Sequence, residues 1–105
     1  MTVLVIGGTG RIGKFAVDKL TQSGIKTKVF SRSQEKLSSL TNNAIGVTGN
    51  LEKIDTLLNI YEDVDKLLLI TANGETETER GLNAIKQAKV SNVSKIVFIS
   101  VKLSE

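Results

Sequence analysis

Three glycines near the start of the chain have a spacing that suits binding of a diphosphate group. In VIGGTGRIGKFAVDKL (5–20), Gly7, Gly10 and Gly13 form G-x-x-G-x-x-G, while Gly8, Gly10 and Gly13 form G-x-G-x-x-G. The run follows a β-branched segment and precedes residues with helical spacing, the context in which such glycines bind a dinucleotide. The first glycines permit a tight turn, the middle one admits the pyrophosphate, and the last brings the helix close to the sheet. The helix then directs its unpaired N–H groups at the phosphates.

The residues at the end of the predicted second strand indicate which dinucleotide would bind. An acidic residue there would hold the ribose hydroxyls of NAD, but Ser31 and Arg32 stand in its place, with Arg32 19 residues after Gly13. A guanidinium can hold a 2′-phosphate through paired hydrogen bonds, and a hydroxyl can add another. The chemistry favours NADP(H) over NAD(H); the alternative is a solvated arginine. Arg11 is a second candidate phosphate contact or a solvated loop cation. The candidates from these two segments are Gly7, Thr9, Gly10, Arg11, Ile12, Gly13, Ser31 and Arg32.

Composition narrows the chemistry that the chain can perform. The 105 residues predict one domain, 1–105, and include no cysteine and no histidine, which removes disulfides, thiolate chemistry and the commonest general base. Net charge is +3 and only four residues are aromatic, so we expect no nucleic-acid partner. No apolar run approaches ~18 residues and no signal-like segment opens the chain, so we expect no membrane span and a cytoplasmic location.

Alternating hydrophobic periods predict a β/α chain. Strands are predicted at 2–6, 26–31, 44–49, 64–70 and 95–101. Helices are predicted at 11–23, 33–40, 52–61 and 76–90. The residues predicted to face inward are Ile54, Leu57, Leu58 and Tyr61 in the third helix and Leu82, Ile85 and Ala88 in the fourth. This alternation is typical of an α/β fold in which a parallel sheet lies between two layers of helices.

Four segments together resemble a known family. The segments VLVIGGTGRIG, VFSRS, GNLEK and LLLITAN resemble the atypical, extended branch of the short-chain dehydrogenases, and within it the NmrA-like NAD(P)-binding group. The resemblance implies a Rossmann-like sheet of five strands in the order 3-2-1-4-5, truncated relative to the family. It also implies that Asn50 and Leu51 lie near the adenine, where relatives usually have aspartate before the apolar residue. Thr71, Ala72 and Asn73 would pass near the ribose and pyrophosphate; the alternative is an ordinary loop between strand and helix.

The catalytic pair of that family has no counterpart here. Its dehydrogenases carry Tyr-x-x-x-Lys after the fifth strand, whereas the single tyrosine, Tyr61, is followed four residues later by Asp65. We interpret Tyr61 as a packing residue. Ser100 falls near the family's catalytic serine but has no base beside it, so we interpret it as structural. We therefore predict no catalytic residue and no metal site.

Three functions remain open. The chain could be a nucleotide-binding or redox-sensing module that holds NADP(H). It could be an NADPH-dependent reductase for a flavin, quinone or small carbonyl acceptor, completed by a partner chain or by a missing C-terminal region. It could also be a relic without activity. Because strands 4 and 5 carry apolar residues on both faces and the predicted helices leave one face bare, we expect a homo-oligomer or a part of a longer chain.

Overall fold

The computed structural model describes residues 1–7, 11–31, 44–51, 53, 57, 59–72 and 75–101, with the backbone alone at 11, 71, 72, 75–79, 100 and 101. The elements are β1 (Thr2–Ile6), α1 (Arg11–Gln22), β2 (Lys26–Ser31), β3 (Ile45–Thr48), β4 (Lys66–Ala72), α2 (Glu75–Val90) and β5 (Lys95–Val101). All five strands are parallel and lie in one sheet in the order β3-β2-β1-β4-β5. The predicted fold class and strand order are confirmed.

The central strand β1 is buried along its whole length, and its alternating side chains supply two separate cores. Leu4 and Ile6 pack in the core on the α2 side, whereas Val3 and Val5 pack in the core that contains Val17 of α1. Because successive side chains of a strand point to opposite faces, a strand buried on both sides must be apolar throughout. The two cores make the sheet the middle of three layers, as predicted.

Each helix ends in the same type of cap. Gly24 has a φ of 77°, the Ile25 N–H donates to the Leu20 carbonyl at 3.1 Å, and the Gly24 N–H donates to Thr21 at 3.0 Å. In α2 a non-glycine residue takes the equivalent place: Asn92 has a φ of 63°, and the Val93 N–H donates to Ala88 at 3.0 Å. These bonds satisfy carbonyls that the helix itself leaves unpaired.

Small residues of α2 face the sheet, which corrects one inward prediction. Gly81, Ala84 and Ala88 are buried, whereas Leu82 is 53% exposed. The prediction for Leu82 was therefore wrong. The stripe that packs inward begins one residue earlier, and its small side chains let the helix approach the sheet closely. Ala88 is buried as predicted, and Ile85 is partly buried against the same core.

The segments on either side of β3 lie wholly or partly outside the described residues. The predicted helix 33–40 lies outside the described residues, as do Ile54 and Leu58 of the predicted helix 52–61. Within 50–64, backbone bonds join residues three apart: Lys53 N–H to Asn50 and Ile60 N–H to Leu57. Leu57 and Tyr61 are buried as predicted.

Asp65 joins the amino ends of three strands. The Thr2 N–H donates to its Oδ2 at 2.7 Å, and the Asp65 N–H donates to the Thr2 carbonyl at 2.9 Å. The Asp65 carbonyl accepts from the Ser94 N–H at 2.8 Å and from the Ser94 hydroxyl at 2.9 Å. This residue therefore fixes where β1, β4 and β5 begin, and β4 starts at Lys66 rather than at the predicted residue 64.

Candidate functional site

The carboxyl ends of the strands form one edge of the sheet. Ile6 is in register with Phe30 of β2 and Leu69 of β4, so Gly7, which follows Ile6, reaches the same level as the next residues of those strands. The chain turns outward to β2 on one side of β1 and later continues with β4 on the other side. In open parallel sheets, ligands bind outside the carboxyl ends of the strands at such a switch point.

Gly7 occupies a position that a larger residue would fit only with strain. Its φ is 95°, and a Cβ built on it would lie 2.5 Å from the Ile70 carbonyl oxygen and 3.0 Å from the Ile70 Cβ. A residue with a side chain would therefore meet both an unfavourable backbone conformation and a backbone atom that cannot move aside easily. The lack of a side chain lets the Gly7 backbone lie directly against Ile70 of β4.

The helix α1 begins at this same edge. Arg11 is its first residue, and its first turn contains no acidic residue. Gly13 is buried in that turn, which agrees with a close approach of helix and sheet, whereas Ile12 is exposed. The unpaired N–H groups and the positive end of the helix dipole are therefore not neutralised by a side chain of the helix, an arrangement favourable to an anion.

The remaining predicted residues fall into two groups. Ser31 is buried at the end of β2, Asn50 and Leu51 are partly buried just after β3, and Thr71 and Ala72 form the end of β4. The structure thus brings these residues to the same edge as Gly7 and the start of α1. Thr9, Gly10, Arg32 and Asn73 lie outside the described residues.

One polar contact at this edge was missed by the sequence analysis. The Asn83 side chain on α2 donates from Nδ2 to the Leu51 carbonyl at 2.8 Å. The two residues are 32 positions apart, and a single asparagine within a helical stretch gives no sequence signal of such a partner. Helical spacing does place Asn83 next to the buried Ala84, but it does not identify the loop that the side chain reaches.

Tyr61 is a structural residue in this fold. It is 2% exposed, and its hydroxyl donates to the Ala84 carbonyl at 2.8 Å within the α2-side core. Burial raises the pKa of the Tyr61 phenol well above its usual value of 10.0. A phenol held neutral by burial and bonded to a helix carbonyl does not act as an acid or base at neutral pH, which agrees with its interpretation as a packing residue.

The described part of the chain holds neither a cluster of metal ligands nor a membrane-spanning helix. There, no three His, Cys, Asp or Glu side chains come together in a group that could hold a metal ion. Among the helices described, neither α1 nor α2 is long and apolar enough to cross a membrane.

Comparison with known proteins identifies the family. A family model described as NAD(P)H-binding matches residues 7–104, and the chain belongs to that family. Photosystem II assembly factor Ycf39 of Synechocystis sp. is 30% identical over 96% of this chain and 34% of its own length. Isoflavone reductase homolog A622 of Nicotiana glauca is 33% identical over 82% of this chain and 31% of its own length. The chain thus spans about a third of these curated relatives.

A solved structure shows the same fold. The NADPH-dependent quinone oxidoreductase QOR2 of Escherichia coli, complexed with NADPH, superposes with a TM-score of 0.83. The match covers 91% of this chain and 35% of that protein, at 21% identity. At this identity the likeness shows the fold alone. Together with the family match, it shows a Rossmann-like domain of an NAD(P)H-binding family, in agreement with the resemblance drawn from the sequence.

Proposed function

We propose that this chain is a module that binds NADP(H) mainly through the ADP half of the dinucleotide and serves as a nucleotide-binding or redox-sensing unit. The observation that supports this most directly is the close approach of Gly7 to Ile70, since it excludes a side chain at Gly7, as expected of the first glycine of a dinucleotide-binding turn. The +3 net charge of the chain also favours an anionic ligand.

The preference for NADP(H) over NAD(H) is part of this proposal. It rests on Ser31, which ends β2 at the carboxyl edge of the sheet, and on Arg32, which comes next in the sequence. A hydroxyl and a guanidinium at this position suit a 2′-phosphate, whereas a carboxylate would suit the free hydroxyls of NAD. The QOR2 structure contains NADPH, which is compatible with this preference.

A second candidate is an NADPH-dependent reductase whose substrate pocket comes from a partner chain or from further residues of a longer protein. The relative named as an isoflavone reductase homolog and the neighbour named as a quinone oxidoreductase favour it. Hydride transfer to a flavin or quinone needs little acid–base help, because the cofactors carry the chemistry. The relative named as an assembly factor favours the binding module instead.

We also propose that the exposed side of β4 and β5 is covered in the functional protein. Val97 and Ile99 are paired in register with Leu68 and Ile70, which belong to the α1-side core, yet they are 43% and 37% exposed. Neighbouring apolar side chains on an edge strand promote association. A second copy of this chain or the remainder of a longer chain would cover them. The cytoplasmic location and the single domain 1–105 also stay predictions.

Calorimetric titration of the 105-residue chain with NADPH and NADH tests the proposal. Saturable NADPH binding that is tighter than NADH binding supports the NADP(H) module. Assays of NADPH oxidation with a flavin and with a quinone then test the second candidate: turnover supports the reductase, whereas binding without turnover is expected both of the module and of a reductase that lacks its completing chain. Absence of binding to both dinucleotides would overturn both candidates.

A further inference from the structure

The Asn83–Leu51 hydrogen bond links α2 to the loop after β3. The Asn83 amide nitrogen Nδ2 donates to the Leu51 carbonyl at 2.8 Å, and both residues are partly buried. The two residues are 32 positions apart in the sequence. Because a peptide group is planar, a hydrogen bond to the Leu51 carbonyl also fixes the orientation of the peptide group to which that carbonyl belongs. It therefore sets the direction in which the neighbouring backbone groups point.

This loop needs external support because β3 provides little. The strand has four residues, pairs only with β2 in the sheet, and exposes Ile45, Gly46 and Thr48. Two local features help to hold the loop: the Leu51 side chain packs against the α2-side core, and the Lys53 N–H donates to the Asn50 carbonyl at 2.9 Å. Asn83 adds the connection to a long, regular helix.

We propose that Asn83 is a positioning residue for the adenine end of the dinucleotide site. By holding the Leu51 carbonyl, it keeps the Asn50–Leu51 segment at the height and orientation at which that segment contacts the base. Asn83 itself does not contact the cofactor. This inference rests on the proposed function, since it assumes that a dinucleotide binds at the carboxyl edge of the sheet.

The same helix provides a matched control. Gln87 lies one turn after Asn83, is buried, and carries the same amide group, but its Nε2 donates to the Ser91 hydroxyl at 3.2 Å. Gln87→Ala therefore removes the hydrogen bond of a side-chain amide from α2 without changing the Leu51 contact. Asn83→Ala removes the donor, and Asn83→Asp preserves the size of the side chain while replacing the donor with an oxygen that would repel the carbonyl.

The first measurement is hydrogen exchange of the backbone amides in residues 50–53 without nucleotide. We expect faster exchange in Asn83→Ala and Asn83→Asp than in Gln87→Ala and in the unsubstituted chain. Unchanged exchange in both Asn83 variants would overturn the positioning role whether or not the chain binds a dinucleotide. This arm therefore tests the tether separately from the proposed function.

The second measurement compares two ligands: NADPH and its analogue with hypoxanthine in place of adenine, which lacks the exocyclic amine. Loss of one neutral hydrogen-bonded contact predicts roughly fivefold weaker NADPH binding for both Asn83 variants relative to Gln87→Ala. The analogue should lose less than about twofold, because it lacks the exocyclic amine that, in this proposal, donates to the side-chain oxygen of Asn50. Equal losses for the two ligands would overturn the role at the adenine. Failure of the unsubstituted chain to bind NADPH, combined with faster loop exchange in the variants, would overturn the proposed function and leave only a structural tether.

Discussion

Gly7 and Ile70 come so close at the carboxyl edge of the sheet that a Cβ on Gly7 would lie 2.5 Å from the Ile70 carbonyl oxygen. The contact joins the turn after β1 to β4, the two segments that flank the switch point of the sheet. Gly24 also has a positive φ, 77°, but a Cβ there would meet nothing within 4 Å. Both glycines therefore have a backbone conformation that strains other residues, but only at Gly7 would a side chain also clash with a neighbouring strand.

We predict that Gly7→Ala weakens NADPH binding at least about tenfold, because relief of the clash must move the turn or β4. Gly24→Ala should cost about 1 kcal/mol of folding free energy and leave NADPH affinity unchanged. Calorimetric titration and denaturant unfolding of both variants provide the comparison. Equal NADPH affinity in Gly7→Ala and Gly24→Ala would count against a diphosphate beside Gly7.

Arg32→Ala should weaken NADPH binding by about 1–3 kcal/mol and change NADH binding little, because only NADPH carries the 2′-phosphate. Lys86→Ala, which removes a cation from an exposed position on α2, is the control for the change in net charge. Titrations at two salt concentrations would distinguish the specific contact of Arg32 from the general effect of net charge on NADPH affinity, because salt screens the latter. Equal weakening of both cofactors would mean that Arg32 does not distinguish them.

Tyr61→Phe should lower the free energy of unfolding by about 1 kcal/mol, since the Ala84 carbonyl loses its buried donor, and should leave NADPH binding intact. Burial raises the Tyr61 pKa, so above pH 10.0 the unfolded chain ionises this phenol while the folded chain does not. The stability that the buried, neutral phenol contributes is fully present below the pKa of the unfolded chain and is lost as the pH rises above that value.

The wild-type chain should therefore lose more stability above pH 10.0 than Tyr61→Phe does. Urea unfolding at a series of alkaline pH values measures the difference, and the variant itself corrects for the lysines that titrate in the same range. Parallel pH dependence in the two proteins would show that the phenol is not buried as described.

The combined change Val97→Lys and Ile99→Lys should shift the chain towards monomer if a second copy covers this side of β5. Val90→Lys is the control, because Val90 is an apolar residue, 75% exposed, on α2 rather than on the sheet. Sedimentation velocity over a concentration series measures the change. A wild-type chain that stays monomeric at every concentration would contradict self-association and favour covering by the remainder of a longer protein.

The parts of the fold that could be predicted are those governed by local pattern. The β-branched runs of β1 and β5 predict strands with the observed bounds, and the glycines after β1 predict the turn at which Gly7 has a positive φ. Which face of a helix packs against a sheet depends on contacts between distant segments, so Leu82 was predicted to face inward whereas Gly81 is the buried residue there. The Asn83 contact is equally non-local, and no spacing rule predicts it.

The Asp65 connection has a consequence for redesign of this protein. It anchors the starting points of β1, β4 and β5 at the end of the sheet opposite the glycine turn. The alignment of these three strands is therefore secured far from the carboxyl edge, and we expect exchanges of residues around Ser31 or Asn50 to alter cofactor choice without shifting the registers of β1, β4 and β5. The architecture separates the groups that hold the fold together from those that selection or engineering can vary.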